Sequence, residues 1–309
     1  MNVFPRQYWK KLGRIFDPEG KASWLKSHAA APTVLTLGGD RSRIYFTPRD
    51  ENGFSCSSYI EGNLLNPSSF TQPVEPILTA GELGAFDDTG IYVTSMVPHE
   101  GRLYMYTVGR SEGRSIGYRG FTGLAISEDG GKTCKRYSRA PILSWTDAEP
   151  FMAVSPWVIK EGALWRMWYT CGTKWVRLPN GSARHYYHIR YAESEDGISW
   201  KREGKICIDY ANAEEYALGR PQVINEDGKY RMWFCARGAK YRLGYAESQD
   251  GITWQRDDSA ILGMEPGPEA WDNEEICYPF VFDQGGKRYM LYCANGYGCT
   301  GFGLAVLES

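Results

Sequence analysis

Acidic side chains are concentrated in four short segments of the sequence, where they could act in pairs on a substrate. The segments FDDTG, TDAEP, NAEEY and WDNEE contain Asp88, Glu149, Glu214, Glu215, Asp272 and Glu275, and TPRDENG contains Asp50. Two carboxylates about 5 to 10 Å apart can protonate a glycosidic oxygen and activate water. We therefore predict catalytic roles for Asp50, Asp88, Glu214, Glu215 and Glu275, and substrate binding by Glu149 and Asp272.

Three arginines near these segments suit an anionic ligand. Arg49, Arg220 and Arg237 could form a cationic floor that binds a carboxylate or a phosphate through paired hydrogen bonds. The alternative, that they brace neighbouring elements by pairing with aspartates, stays open. The other predicted substrate-binding residues are His28, Ser95, Ser155, Tyr278 and Asn295.

The histidines and cysteines do not form a metal-binding pattern. The four histidines are scattered, and the eight cysteines include no CxxC pair. Most of the cysteines lie in apolar runs such as MWYTCG, which favours buried free thiols in a reducing cytoplasm. We predict no cofactor and no metal site, although oxygen ligands for a central calcium ion would leave little trace in a sequence.

Composition and charge exclude several classes of partner. The chain has 309 residues, 42% of them hydrophobic, with 35 Lys and Arg against 37 Asp and Glu. This balance argues against a nucleic-acid partner or a membrane surface, both of which favour a basic face. We also find no apolar run of transmembrane length and no signal peptide, so we expect a cytoplasmic protein.

A recurring strand pattern shows which elements must position these residues. An aromatic-rich strand occurs five times, as RIYFTPRD, RLYMYTVG, WRMWYTCG, YRMWFCAR and RYMLYCAN. Each copy follows a second apolar strand and a polar turn, and the unit recurs about every 60 residues, as in propeller blades with insertions. Third strands such as IRYAESEDG and fourth strands that run through KREGKICI or QRDDSAIL complete the unit.

The repeat predicts an all-β, five-bladed β-propeller with four-stranded antiparallel blades. The last unit lacks a fourth strand, and the N-terminal segment YWKKLGRIFDP, about residues 8–18, resembles the fourth strand of another unit. We expect this segment to close the ring and remove open sheet edges. Residues 1–309 are then a single propeller domain.

The position of a residue within its repeat indicates whether it lies in a turn or faces the centre of the propeller. Asp129, Asp196 and Asp250 lie in Ser-x-Asp-Gly turns between third and fourth strands, where we expect them to stabilise turns rather than catalyse. The first strands share a proline in four units. We expect the residue before it, or its counterpart, to face the central pocket: Ala31, Ser95, Ser155, Arg220 and Tyr278.

The x-Pro first strands and the turns SEDGISW and SQDGITW make the chain resemble the five-bladed propellers of glycoside hydrolase families 43 and 32. The resemblance implies two Asp-Pro motifs and one Glu-Gly-Pro motif that carry the catalytic acids. This sequence has Ala31-Pro32, Ser155-Pro156 and Gly219-Arg220-Pro221 at the matching places. The expected carboxylates are therefore absent from those positions.

Three functions fit these observations. The first is a carbohydrate-active enzyme that hydrolyses or phosphorolyses a glycosidic bond with relocated carboxylates. The second is an enzyme of glycan or sugar-nucleotide biosynthesis, whose remodelled pocket takes an anionic sugar. The third is a carbohydrate-binding propeller without catalysis. All three predict a carbohydrate ligand.

Overall fold

Five groups of antiparallel strands follow one another along the chain in the computed structural model, which describes residues 4–20 and 22–308. The N-terminal strand is β1 (Gln7–Phe16). The first blade has β2 (Ser27–Thr36), β3 (Arg41–Arg49) and β4 (Ser58–Asn63). The second has β5 (Gly90–His99), β6 (Arg102–Ser111), β7 (Arg119–Ser127) and β8 (Lys135–Arg136).

The later blades follow the same order. The third has β9 (Ala153–Glu161), β10 (Leu164–Arg177), β11 (Ala183–Ser194) and β12 (Lys201–Ile208). The fourth has β13 (Ala217–Glu226), β14 (Lys229–Arg237), β15 (Tyr241–Ser248) and β16 (Gln255–Arg256), and β17 (Ile261–Leu262) follows it. The fifth has β18 (Cys277–Gln284), β19 (Lys287–Cys293) and β20 (Phe302–Glu308).

Helical structure is confined to single turns in the described residues. Two 3-10 turns span Pro67–Ser69 and Asp258–Ala260, and the helical turn α1 spans Asn295–Gly298. Within residues 4–20 and 22–308, no helix is both long enough and apolar enough to cross a membrane. The predicted all-β propeller is therefore confirmed.

The N-terminal strand closes the ring, as the sequence predicted. β1 pairs antiparallel with β20 from Tyr8 to Phe16, so it supplies the fourth strand of the fifth blade. Among the described residues, the first blade has no separate fourth strand. Instead, residues 71–78 form hydrogen bonds at intervals to β4 and to the segment before it, for example from Val74 N to Tyr59 O. Pro73 and Pro76 lack an N–H and so interrupt this ladder.

The Ser-x-Asp-Gly turns lock neighbouring blades together. Asp196 Oδ1 accepts hydrogen bonds from Ile198 N and Ser199 N, both at 2.7 Å. The carbonyl of Gly197 in the same turn accepts the hydroxyl of Tyr106, which lies on β6 of the preceding blade, at 2.9 Å. The equivalent turn at Asp250 repeats both features, since Gly251 O accepts Trp168 Nε1 of β10 at 2.7 Å. The structural interpretation of these turns is confirmed.

A bulge in each first strand directs side chains toward the centre. The residues before the shared proline all have left-handed backbone torsions, with φ from 50° to 55°, at Ala31, Ser155, Arg220 and Tyr278. The hydrogen-bond pairing between the first and second strands shifts register at the same places. Such a bulge turns a side chain away from the direction that the regular alternation of a strand would give it.

Side chains of the preceding blade hold the bulged backbone. Thr170 Oγ1 accepts the amide of Arg220 at 3.2 Å, and the sulfur of Cys235 accepts the amide of Tyr278 at 2.8 Å. The sulfur of Cys293 accepts the amide of Ala31 at 3.3 Å. These buried thiols therefore position the residues that line the centre, and all eight cysteines are free.

Candidate functional site

A cavity of about 290 Å³ lies where the first strands of the blades converge, and a deeper extension of about 90 Å³ continues from it. The two parts share eight lining residues. Together their walls carry four arginines and six tyrosines: Arg49, Arg110, Arg220, Arg237, Tyr92, Tyr118, Tyr187, Tyr241, Tyr278 and Tyr297. His185, Ala31 and Ser155 also line the outer part. No Asp or Glu among the described residues lines either part.

The four arginines form no ion pair in the described part of the chain. Arg110 and Arg220 line both parts of the cavity, whereas Arg49 and Arg237 line only the outer part. The cavity therefore concentrates positive charge in a protein whose formal net charge is −2. The alternative in which these arginines pair with aspartates is not what the structure shows.

Arg220 is the most deeply placed of these cations. It is 5% exposed, and Nη2 donates to the carbonyls of Ala31 and Pro32 and to Thr33 Oγ1 at 3.0 to 3.2 Å. Its other terminal nitrogen, Nη1, is buried and has no hydrogen-bond partner. Burial lowers the pKa of Arg220 below its ordinary value. These contacts hold the guanidinium in place and leave one nitrogen for a ligand.

Two of the other arginines, Arg110 and Arg237, contact aromatic rings of the cavity wall. Arg237 lies 4.9 Å from the ring centre of Tyr241 and 5.1 Å from that of Tyr297, and its Nε is buried without a partner. Arg110 lies 5.4 Å from the ring centre of Tyr118, and its Nε is also without a partner. Burial, with the charge of Arg110, lowers the pKa of Arg49. Three of the four guanidinium groups therefore have unused donors.

The uncharged groups of the cavity stay uncharged at neutral pH. Burial raises the pKa of Tyr92 and Tyr118 and, more strongly, that of Tyr187 and Tyr241, so their hydroxyls remain donors. Burial, with the charges of Arg237 and Arg184, lowers the pKa of His185 to about 4. The fixed charge of the site therefore comes from the arginines alone.

One buried acid from each of the four acidic segments is tied to an outer strand, and in the second blade this acid is Asp87, the neighbour of the predicted Asp88. Each acid precedes a first strand, is at most 3% exposed, and forms an ion pair with a basic residue on the fourth strand of the same blade. The pairs are Asp87 with Arg136 at 2.7 Å, Glu149 with Arg202 at 2.8 Å, Glu215 with Arg256 at 2.8 Å and Asp272 with Lys11 at 2.8 Å. Glu149, Glu215 and Asp272 therefore do not converge on the cavity, because the basic residues draw them toward the blade edge.

The other predicted acids also lie away from the cavity lining. Asp50 Oδ1 accepts the amides of Asn52 and Phe54 in the turn after β3, both at 2.9 Å. Asp88 Oδ2 accepts the amide of Gly84 at 3.0 Å. Glu275 Oε2 accepts the amide of Tyr241 at 3.2 Å, and Glu214 is exposed. Backbone amides therefore engage the carboxylates of Asp50, Asp88 and Glu275, and none of these four acids lines the cavity.

Some of the remaining predicted residues line the cavity, and others form hydrogen bonds to the backbone near it. Arg49, Ser155, Arg220, Arg237 and Tyr278 line the cavity. His28 lies close to Arg49, and burial together with that charge lowers its pKa to about 4. Ser95 Oγ accepts the amide of Val158 at 3.0 Å, and Asn295 Oδ1 accepts the amide of Glu274 at 2.8 Å. Ser95 and Asn295 therefore support the backbone rather than the cavity wall.

Seven of the basic and aromatic lining residues were not among the predicted site residues: Tyr92, Arg110, Tyr118, His185, Tyr187, Tyr241 and Tyr297. Arg110 lies one residue beyond the position that Arg49 and Arg237 share in the equivalent strands, so alignment of the repeats places Gly109 there and gave no direct signal for Arg110. Trp175 and His185 are paired on the long hairpin of β10 and β11. The sequence of this hairpin did not indicate that it lies beside the central cavity. Among the described residues, no group of three or more His, Cys, Asp or Glu side chains could hold a metal ion.

Comparison with known proteins gives both close and distant relatives. No family model matches the chain. It is 42% identical over 302 residues to the uncharacterized protein Rv1502 of Mycobacterium tuberculosis, an alignment that covers 97% of this chain and 99% of the relative. It is 32% identical over 105 residues to a β-1,2-mannobiose phosphorylase of Thermoanaerobacter, covering 29% of this chain and 32% of that enzyme.

Solved structures agree with the fold described above. A glycoside hydrolase superposes with a TM-score of 0.75 at 19% identity, covering 97% of this chain and 91% of its own. A thermostable family-43 glycoside hydrolase gives a TM-score of 0.65 at 16% identity, covering 91% and 88%. The fold is that of the five-bladed β-propeller glycoside hydrolases, and by its sequence the chain belongs to the family of Mycobacterium tuberculosis Rv1502.

Proposed function

We propose that the central cavity binds an anionic sugar through its arginines and does not hydrolyse glycosidic bonds with a carboxylate pair. One observation carries this proposal. Four arginines without ion-pair partners line a cavity whose described lining contains no Asp or Glu. A cation removed from water costs several kcal/mol unless an opposite charge accompanies it. A bound anion supplies that charge.

The donors that lack partners indicate where the anionic group binds. Arg110 Nε, Arg220 Nη1 and Arg237 Nε are buried and make no hydrogen bond to any of the described residues. Guanidinium groups match the oxygens of phosphates and carboxylates in shape as well as in charge. We place the anionic group between Arg110 and Arg220, which line both the outer cavity and its deeper part.

The size of the cavity and the tyrosines in its wall favour a small sugar. A volume of about 290 Å³ is near the lower end for small-molecule sites. Tyrosine rings offer apolar faces beside hydroxyl donors, which suits the alternating C–H and O–H groups of a sugar. A single sugar residue that carries one phosphate or carboxylate fits these features. The propeller fold, which the glycoside hydrolases share, supports the same ligand class.

Phosphorolysis is a second candidate, and the partial similarity to β-1,2-mannobiose phosphorylase favours it. In that reaction an oxygen of inorganic phosphate attacks the anomeric carbon, the glycosidic C–O bond breaks, and the leaving oxygen takes up a proton. The arginines would hold the phosphate. The reaction also needs a proton donor, and burial raises the pKa of Tyr118 and Tyr92, which weakens them as acids. We therefore place anionic-sugar binding first.

Calorimetric titration tests the proposal. The ligands are inorganic phosphate, glucose 1-phosphate, mannose 1-phosphate and glucuronate, with glucose and mannose as neutral counterparts. We expect the anionic members to bind and the neutral sugars to bind at least tenfold more weakly, because each charged hydrogen bond contributes about 1.5 to 3 kcal/mol. Release of a sugar 1-phosphate from mannobiose, seen only with inorganic phosphate, would instead favour phosphorolysis.

Matched variants identify the residues responsible. Arg220→Met removes the buried guanidinium but keeps a side chain of similar length, whereas Arg139→Gln removes an arginine whose side chain is 83% exposed on the second blade. We expect the first variant to lose at least tenfold in affinity for the phosphates and the second to bind normally. Equal binding of neutral and anionic sugars, or normal binding by Arg220→Met, would refute the proposal.

A further inference from the structure

A second cavity of about 300 Å³ lies beside the central one. Its wall is mainly apolar and aromatic and consists of Ile116, Tyr118, Arg119, Trp145, Pro150, Phe151, Met152 and Trp175. We call it the tryptophan groove. Tyr118 lines both the central cavity and this groove, so the two spaces are adjacent at this residue.

The two tryptophans of the groove are held in place although one of them is open to solvent. Trp145 is 53% exposed, its Nε1 donates to the carbonyl of Phe151 at 2.6 Å, and its ring meets that of Phe121 edge-on at 4.9 Å. Trp175 meets Tyr118 edge-on at 5.9 Å and His185 at 5.4 Å. A large exposed indole that is fixed by its neighbours is a common feature of binding sites.

The charge of the tryptophan groove differs from that of the central cavity. Arg119 is its one side chain that is charged at neutral pH, and no carboxylate of the described residues lines it. The four arginines of the central cavity do not line it. The groove therefore suits an uncharged group that presents apolar C–H faces to aromatic rings and a few hydroxyls to Arg119.

We propose that the tryptophan groove binds a neutral sugar ring that is joined to the anionic sugar of the central cavity. This inference rests on the proposed function. The central cavity has room for about one sugar residue, so a longer ligand must extend beyond it. The groove begins at the shared Tyr118, and its composition matches an uncharged ring. The ligand class is thus an anionic disaccharide or longer oligosaccharide.

Titration with matched phosphates tests the second subsite. The pairs are glucose 1-phosphate with maltose 1-phosphate, and glucose 6-phosphate with trehalose 6-phosphate. In at least one of the two pairs, we expect the wild-type protein to bind the disaccharide phosphate about tenfold more tightly than the monosaccharide phosphate. A tenfold gain in affinity is near the upper end of what one aromatic contact contributes. In Trp145→Ala and Trp175→Ala this ratio should fall to about one.

A control variant and the possible outcomes separate the two proposals. Tyr137→Ala removes another half-exposed aromatic residue, on the outer side of the second blade, and should keep the wild-type ratio. Equal binding of both members of each pair, unchanged in the tryptophan variants, overturns the second subsite alone. A gain for phenyl glucoside 6-phosphate without a gain for the disaccharides overturns the neutral sugar in favour of an apolar substituent. Absence of phosphate binding overturns both proposals.

Discussion

Replacing Glu215 by glutamine separates a structural carboxylate from a catalytic one. Glu215 Oε2 accepts Arg256 Nη1 at 2.9 Å and the amide of Ala211 at 2.8 Å, while Oε1 accepts Arg256 Nη2 at 2.8 Å and also contacts Arg242. The Glu215 side chain is 1% exposed. The carboxylate therefore ties the loop before β13 to β15 and β16.

The size of the effect follows from the pKa of this carboxyl. Burial alone would raise it, but hydrogen bonds from Arg256, the Ala211 amide and Arg242 lower the pKa of Glu215 from 4.5 to about 2. Such a change corresponds to about 3 kcal/mol of stability. Glutamine can keep some of these hydrogen bonds, and Arg242 is partly exposed to solvent. We therefore expect Glu215→Gln to lower the free energy of unfolding by about 2 to 3 kcal/mol at pH 7.

The pH dependence has a definite sign. Because the folded pKa lies below the unfolded one, the contribution of Glu215 is complete above pH 5 and is lost as the pH falls toward 2. Urea unfolding should show the difference between wild type and variant shrinking to about 1 kcal/mol at pH 3.

The matched control is Glu214→Gln, since Glu214 is the exposed neighbour and should have little effect on stability. Binding of glucose 1-phosphate should be the same in the wild type and both variants. Normal stability with lost activity or binding in Glu215→Gln would refute the structural assignment.

Two further predictions concern the turns and the pH dependence of binding. Asp250→Ala should lower the free energy of unfolding by about 1 kcal/mol, because Asp250 Oδ1 accepts hydrogen bonds from Ile252 N and Thr253 N. Anion binding should stay intact, because Asp250 does not line the cavity. A loss of binding in the folded variant would contradict this. Sulfate affinity, measured by calorimetry, should be constant from pH 6 to 9, because the pKa of His28 and that of His185 are both lowered to about 4. A fall in affinity centred near pH 6.5 would show that an ordinary imidazole takes part.

The architecture was predictable because each repeat consists of short apolar strand sequences separated by polar turns. Five copies of one aromatic strand set the blades, and the W-K-x-x-G-x-I likeness of the N-terminal segment identified the closing strand. The fourth blade departs from expectation. Its outer strand was predicted to run through QRDDSAIL, but β16 ends at Arg256 and Ile261–Leu262 pairs with β1 instead. A 3-10 turn at Asp258–Ala260 separates the two, and Asp257 caps it.

The sequence allowed part of the cavity lining to be predicted, but not the direction in which the acidic side chains turn. Arg220 and Tyr278 were identified because the shared proline marks the bulge that turns them inward. The acids just upstream were placed in the correct loops, yet their partners Arg136, Arg202 and Arg256 lie on outer strands that are distant in sequence. Which way such a carboxylate turns depends on tertiary contacts, and sequence spacing does not encode them.

A crystal structure with glucose 1-phosphate tests the central claim most directly. We expect phosphate oxygens within hydrogen-bonding distance of Arg220 Nη1 and Arg110 Nε, the buried donors that lack partners in the protein. The sugar ring should lie among the tyrosines, with no Asp or Glu side chain beside its anomeric carbon. A phosphate bound outside this cavity, or a sugar flanked by two carboxylates at a hydrolytic separation, would contradict the account.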